Sequence, residues 1–571
     1  MNTEHERQPD GVASARDCPG VPTSDVTQYL RTLTRARGRT AAEDWNEAAP
    51  LWEQVVARNP VEGSSWAHLA DARYHLQDYG QAISAYKRAM ELGDAYPAEA
   101  AYHIACCYAL LGDPEQALTW LRQAFDMGYR DLKHAQTDGD LQSLHGDARF
   151  REIVALIDIS AMTRDDGWRY DLRLLAREVQ RKGHHLVRPV SKDAFDAAVR
   201  EVADAIPTLT DLQIAVEMMK LLRTLGDAHA GIYGSDHHPD FLQAVPVQFY
   251  LFEEGLYVIA ADPKYEELLG TQVLRFGDRT VDEVMRALDP VLCRDNDHWP
   301  KQVAPYRMRE LPLLHALGLI PEPRQALLTI LDHEGKARTA TLVADTNQPS
   351  TKLWETLSCP AGWRYFPQTL PTPLPHYLKN LDANYWFEYL PEDRVVYFQF
   401  NRVRDDQEES LAAFCDRLFR FIEDSAVEKL VIDMRWNDGG NTFLELPLVH
   451  GLIGCRKINR RGKLFVIIGR RTFSAAQNGT SLIERHTDAM FVGEPTGASP
   501  NFVGETIPFQ LPYSKLWANV SDLYWQSSWP MDYRTWIAPH IYTPPTFATY
   551  RENRDPAMEA ILACREHLPG W

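Results

Sequence analysis

The 571-residue chain lacks most of the signatures that announce a cofactor or a membrane. It contains no HExxH, no CxxC, no Walker-type loop and no GxGxxG, so the motifs by which a zinc, redox, nucleotide or dinucleotide site is read are missing. No metal and no organic cofactor are expected. The pairs His184-His185 and His237-His238 have no further ligands at metal spacing and read as solvated loop histidines. No apolar run approaches the ~20 residues that span a bilayer. The first residues, MNTEHERQPDG, have no apolar leader core, which makes a cytoplasmic location the expectation. Cysteine is sparse at eight residues, and only Cys106 and Cys107 are adjacent; this pattern suits reduced core thiols better than a disulfide framework. Positive charge is also in short supply. With 60 Lys and Arg against 79 Asp and Glu, the net charge is −19, which argues against nucleic acid or an anionic membrane as partner.

What is present points to a serine. In GKLFVIIGRRTFSAAQNGTSLIERHT the apolar run Leu464–Ile468 reads as a buried strand, and Ala475 onward to Glu484 reads as a helix. Ser474 sits at the turn between them, where the first helical N–H groups and the helix dipole favour negative charge. A serine there serves either as an N-cap or as a nucleophile beside its oxyanion site. Upstream, VEKLVIDMRWNDGGNT carries a second buried strand, Leu430–Met434, running into Gly439 and Gly440. An N–H from either glycine joins that of Ala475 as a candidate oxyanion hole. MFVGEPTGASPNFVGE adds a third strand with a glycine-bearing turn, so the three units describe an α/β layer with its site at the strand ends.

VIDMRWNDGG, TFSAAQ and VGEPTG together resemble the core of the C-terminal processing (tail-specific) serine peptidases, a family that includes the tricorn protease core. The likeness extends to LLRTLGDAHAGIY, VPVQFYLFEEGLYVIAAD and MDYRTWIAPHIYTPPTF, so it covers most of residues 163–571. It implies an α/β (crotonase-like) catalytic core and a peptidase working through an acyl-enzyme. The place of the tail-specific branch's lysine is taken by Ser499, and no lysine lies between Lys463 and Lys515. The resemblance therefore points to the tricorn-like branch, with His229 as base and Asp532 as the orienting acid, Glu505 being the alternative. A carboxylate that fixes the tautomer of such a base is the usual third partner. Two departures from the family pattern stand out: Gln477 where a glutamate is common, and Trp436 where a small residue is common. The same serine chemistry also serves acyl transfer or non-peptide hydrolysis, and a peptidase fold also serves as a non-catalytic binding scaffold.

The remaining chain divides into further regions. After a flexible segment 1–40, residues 41–158 show a period of about 34 residues. Trp66, Leu69 and Ala70 precede Ala82, Tyr86 and Ala89. Ile104, Ala105 and Tyr108 precede Ala117, Leu121 and Ala124, and Ala48, Trp52 and Pro60 form a weaker unit. This resembles tetratricopeptide repeats, which imply a protein partner or substrate held on a concave face; DLQSLHGDARFREIVALI reads as a closing helix. Residues 160–235 have helical spacing and lead to His229 as a small bundle. Residues 240–350 alternate as strands, and LLGTQVLRFGDRTVDEVMRAL has the order of a PDZ-like module. A proline- and aromatic-rich linker, 351–390, precedes the core at 391–571. The oligomeric state is left open.

Overall fold

A computed structural model describes residues 25–93, 96–129, 131–154, 159–183, 189–234, 243–345 and 359–564. His184-His185 and His237-His238 lie outside the described residues. The chain forms two compact units, residues 1–158 and 159–571.

In the first unit three antiparallel helix pairs follow one another: Asp25–Ala41 with Trp45–Arg58, Gly63–His75 with Tyr79–Glu91, and Pro97–Leu110 with Pro114–Met127. Small residues at the helix crossings let the backbones approach. Ala48, Ala70, Ala82, Ala89, Ala105, Ala117 and Ala124 are all fully buried, and Trp52 and Leu121 fill the space beside them. Asp44 and Asp113 cap their helices through the backbone N–H groups of Glu47 and Gln116. The helix Asp25–Ala41 corrects the expectation of a flexible segment reaching to residue 40. The closing helix is also corrected. It is a 3-10 turn, Gly139–Leu144, and a short helix, Ala148–Ile153, that together bury Leu141, Leu144, Phe150 and Ile153.

The second unit opens with the helices Arg164–Gly183, Lys192–Ala205 and Asp211–Arg223. A loop then leads to strand β1 (Gly231–Tyr233). An antiparallel β module follows, with β2 (Val247–Phe252), β3 (Gly255–Ala261), β4 (Gln272–Phe276), β5 (Arg279–Thr280), β6 (Gln325–Leu331) and β7 (Ala337–Val343) in the main order β2-β3-β4-β6-β7. The short β8 (Arg364–Tyr365) pairs with β3. The helices Val281–Leu288, Trp299–Arg307 and Leu311–Ala316 sit between β5 and β6 in the chain.

The last part is an α/β layer of β9 (Tyr385–Leu390), β10 (Val395–Phe400), β11 (Lys429–Asp433), β12 (Leu464–Ile468) and β13 (Met490–Gly493). β14 (Asn501–Thr506), β15 (Phe509–Gln510), β16 (Trp517–Asn519) and β17 (Ser521–Gln526) form two small sheets beside it, and β18 (Ile541–Tyr542) closes the edge. The layer order is β18-β13-β12-β11-β10-β9, parallel throughout except for β9. Parallel neighbours need helical crossovers, and Leu411–Asp424, Leu446–Gly454 and Ala475–His486 supply them. Both faces of each central strand are therefore buried, which explains their unbroken apolar runs. Val396, Phe398, Leu430, Ile432, Val466 and Ile468 pack toward those helices. Val395, Tyr397, Val431, Phe465 and Ile467 pack the other way, onto Pro556–Ala563. Each such side chain contributes on the order of 2 kcal/mol from burial. The strands hold the loops after β11, β12 and β13 at one edge, where open parallel sheets carry their sites.

Candidate functional site

Ser474 occupies the residue before the helix Ala475–His486, but it does not cap it: its side chain makes no hydrogen bond to the first turn. The backbone there is unusual for a side-chain-bearing residue, with φ 53° and ψ −126°. Such a conformation costs ~1–3 kcal/mol and persists only where its surroundings over-determine it. Those surroundings are dense. Phe473 N–H donates to the carbonyl of Asn437, and Asn478 N–H donates to the carbonyl of Ser474. The result is a sharp strand-to-helix elbow that presents Oγ to His229, whose Nε2 lies 3.0 Å away across 245 residues of sequence.

His229 is placed by the loop between the helix Asp211–Arg223 and β1. β1 pairs antiparallel with β16, matching Gly231 to Asn519. Two residues before the histidine, Asp227 is fully buried and accepts from the His229 N–H at 3.0 Å, the Ser521 N–H at 3.0 Å and the Ser521 hydroxyl at 2.9 Å. The Ala228 N–H donates to Asp295 at 3.1 Å. The imidazole stacks on Phe473 (4.5 Å between ring centres) and on Phe502 (5.7 Å). Burial depresses its basicity, opposed by the charge of Asp227 and the backbone of Val503. The ring is thus held neutral near pH 7, the state in which Nε2 accepts a proton. Its Nδ1 is buried and has no side-chain partner among the described residues; the backbone of Val503 is the polar group that acts on the ring there.

The acid expected at Nδ1 is not there. Asp532 is engaged by Arg534 and by the Ser528 hydroxyl at 2.6 Å, and these bonds, Arg534 first, hold its carboxyl down at about 2. Arg534 also pairs with Glu484, so Asp532 belongs to a peripheral ion-pair network. Glu505 is exposed on β14, with φ 65°. Neither carboxylate bonds to His229, which corrects both alternatives.

The glycine turn is forced by crowding. A Cβ on Gly439 would lie 2.7 Å from Ser474 Cβ and 2.8 Å from the Ala475 nitrogen, and one on Gly440 would lie 2.1 Å from the Val403 carbonyl oxygen. Both have positive φ, 112° and 140°, so glycine is required twice over. The Gly439 N–H donates to Asn437 Oδ1 at 3.0 Å. This removes Gly439 from the oxyanion donors expected and leaves Gly440 and Ala475 as candidates. Nothing in the sequence singled out Asn437, which is fully buried with its Nδ2 unpartnered among the described residues.

Ser474 and His229 open onto a cavity of about 720 Å³. Ile232, Val291, Leu292, Trp299, Val303 and Phe473 make its wall largely apolar. Trp299 stacks on Phe473 at 3.9 Å, and burial pushes the Cys293 thiol in this wall up to about 12, leaving it protonated. The charged wall residues include Arg307 and Glu310, paired with each other at 2.8 Å, and Asp438, paired with Arg471 at 2.7 Å.

Comparison with known proteins gives two separate likenesses. A tetratricopeptide-repeat family model matches residues 62–128. Within a stretch of 61 residues the chain is 34% identical to a curated chloroplastic protein of Arabidopsis thaliana; the match covers 11% of this chain and 18% of that protein. The chain thus spans less than a fifth of that curated relative. Among solved structures, mature CPAF is 13% identical with a TM-score of 0.46, covering 70% of this chain and 96% of its own. The photosystem II D1 C-terminal processing protease is 12% identical with a TM-score of 0.34 over 68% and 95% of the two chains. A putative S41 protease from Bacteroides fragilis is 13% identical with a TM-score of 0.26 over 56% and 81%. No helix among the described residues is long and apolar enough to cross a membrane.

Proposed function

We propose that the protein is a serine peptidase in which Ser474 and His229 act as a nucleophile–base pair. The observation that carries this reading is the 3.0 Å approach of His229 Nε2 to Ser474 Oγ on a strained elbow at a helix N-terminus. A serine hydroxyl becomes an effective nucleophile when a neutral imidazole within hydrogen-bond reach takes its proton. Ser474 attacks the peptide carbonyl, and the developing oxyanion faces the N–H groups of Ala475 and Gly440, each such donor contributing ~3–4 kcal/mol. The imidazolium returns its proton to the leaving amine, and water, activated by the same ring, releases the acyl group.

The apolar cavity beside the serine supports a substrate with bulky apolar side chains near the scissile bond. The helical repeats add a surface of the type that holds a protein partner or the substrate itself. The test is labelling of the purified full-length protein with a fluorophosphonate, beside Ser474→Ala and His229→Ala. Labelling of the wild type that disappears in both variants supports the pair; labelling that survives Ser474→Ala overturns it.

A further inference from the structure

The loop that carries His229 rests on a second carboxylate that the reaction described above does not use. Asp295 lies in the segment between the 3-10 turn Asp289–Val291 and the helix Trp299–Arg307. Its Oδ1 accepts the N–H of Ala228, the residue immediately before the histidine, at 3.1 Å. Its Oδ2 is shut off from solvent, has no side-chain partner among the described residues and is approached by the backbone of Ser499. The next residue, Asn296, fixes this segment. Its amide donates to the carbonyls of Thr496 and Thr535, and its carbonyl accepts from the N–H groups of His298 and Trp299. The segment that carries Asp295 is therefore anchored to the loop after β13 and to the loop before β18.

We propose that Asp295 is a positioning residue for His229, its carboxylate completing with Asp227 an acidic cradle beneath the catalytic loop that stabilises the imidazolium in place of an acid at Nδ1. The inference rests on the peptidase reading of Ser474 and His229. Two backbone donors in succession, the N–H groups of Ala228 and His229, are each taken by one of these carboxylates. A shift of either acid therefore moves the imidazole relative to Ser474. The cradle also carries charge. Asp227 is the charged side chain that acts on Asp295 from the histidine loop, and from the loop after β13 only the backbone of Ser499 faces it. On its own segment Arg294 is taken up by Asp289 and Asp297, and the neighbouring His298 packs on Trp536. With no cation among the described residues to neutralise it, burial and the charge of Asp227 push the Asp295 carboxyl up to about 7, against the pull of the Ala228 and Ser499 N–H groups. Below that pH Asp295 is neutral; above it, a second negative charge joins Asp227 on the histidine loop, the sign of charge that favours an imidazolium nearby.

The test is a pH titration of His229 in the full chain carrying ¹³Cε1-histidine, assigned by loss of its signal in His229→Gln, with fluorophosphonate labelling rates measured over the same range. In the wild type the His229 signal shows its own ionisation plus a smaller step near pH 7, and labelling rises across that step. In Asp295→Asn, which keeps the acceptor for Ala228 but never ionises, the step vanishes. That variant labels as fast as wild type near pH 5.5 and about threefold more slowly above pH 8, the ratio of half a pKa unit. A variant whose profile matches the wild type, or is lower by one constant factor at every pH, overturns the proposal. If Asp295→Asn does not fold, the wild-type titration decides: a single-step His229 curve overturns it. Failure of the wild type to label at any pH sinks the peptidase reading, while the titration still reports whether Asp295 acts on His229.

Discussion

Gly439→Ala is the sharpest probe of the elbow, because the contacts that exclude a side chain there are the ones that hold Ser474. The new methyl carbon would meet Ser474 Cβ at 2.7 Å, the Ala475 nitrogen at 2.8 Å and Ser474 Oγ at 3.1 Å. The first two belong to a backbone turn that cannot rotate away as the tip of a long side chain does. The φ of 112° adds ~1–3 kcal/mol of strain for any residue with a Cβ, and overpacking adds a similar ~1–3 kcal/mol. The sum, ~2–6 kcal/mol, is met most cheaply by moving the glycine turn away from the serine by a few tenths of an ångström to 1 Å. A misplacement of that size at a reacting centre costs on the order of 10²-fold in rate. The expected result is a phosphonate labelling rate reduced about 10²-fold, with the unfolding transition still cooperative and only several degrees lower. Labelling at the wild-type rate, in a protein whose Ser474→Ala variant does not label, would refute the argument that this turn shapes the site.

Other consequences follow from the same geometry. Because burial lowers the basicity of His229, labelling should rise with pH along a limb whose midpoint lies below the ordinary histidine value of ~6.5. The same shift gives folding a dependence on pH: the native state disfavours the imidazolium, so stability should fall as pH drops below ~6.5, and His229→Gln should lessen that fall in thermal melts. Leu292→Arg puts a charge into the apolar cavity wall and should reduce cleavage of substrates with bulky apolar side chains by tenfold or more, while phosphonate labelling changes little; equal loss of both counts against the cavity as a side-chain site. Asp532→Asn should leave labelling within about threefold of wild type, because this carboxylate bonds to Arg534 and Ser528 and not to the base. Its depressed carboxyl contributes stability present above the unfolded value of ~3.9 and lost as pH falls toward 2, about 1 kcal/mol after screening at this partly open site.

The parts of this site legible in sequence were those fixed by local chemistry. Leu464–Ile468 was readable as a strand because a parallel strand buried on both faces cannot alternate, and the helix after Ser474 was readable from its spacing. The paired glycines announced a turn, and crowding against Ser474 and Val403 is the reason for both. The alanines of the repeats were legible for the same cause, since close helix packing tolerates little else at those positions. What failed was long-range. The resemblance placed Asp532 near the histidine, but Arg534, two residues on, takes that carboxylate together with Glu484 on the neighbouring helix, and a local ion pair needs no fold to form. Asp295 carries no pattern at all, CRDNDHW being unremarkable until the chain brings it under the histidine loop, and Asn437 lies inside a recognisable motif whose glycines, not its asparagine, stand out.

How the base and the nucleophile meet at all across 245 residues is a question of one short segment, 507–521. It binds the helical bundle on one side and the histidine loop on the other. Asp171, fully buried in the helix Arg164–Gly183, accepts the N–H groups of Tyr513 and Ser514 at 2.9 and 2.7 Å. Lys182, 2% exposed on the same helix, donates to the carbonyls of Val520 at 2.9 Å and Ile507 at 3.2 Å. β16 then pairs with β1, and Ser521 bonds to Asp227. Lys182→Met keeps the aliphatic stem but leaves the buried Val520 carbonyl and the part-buried Ile507 carbonyl without that donor, the buried acceptor costing ~1–3 kcal/mol. The α/β layer has its own core and is untouched by this loss. The variant should therefore retain most of its unfolding enthalpy while losing His229-dependent labelling tenfold or more, as β1 and the histidine loop detach together from their support. If Lys182→Met labels normally, the position of His229 is set by the acidic cradle alone, and the bundle serves only to cover it.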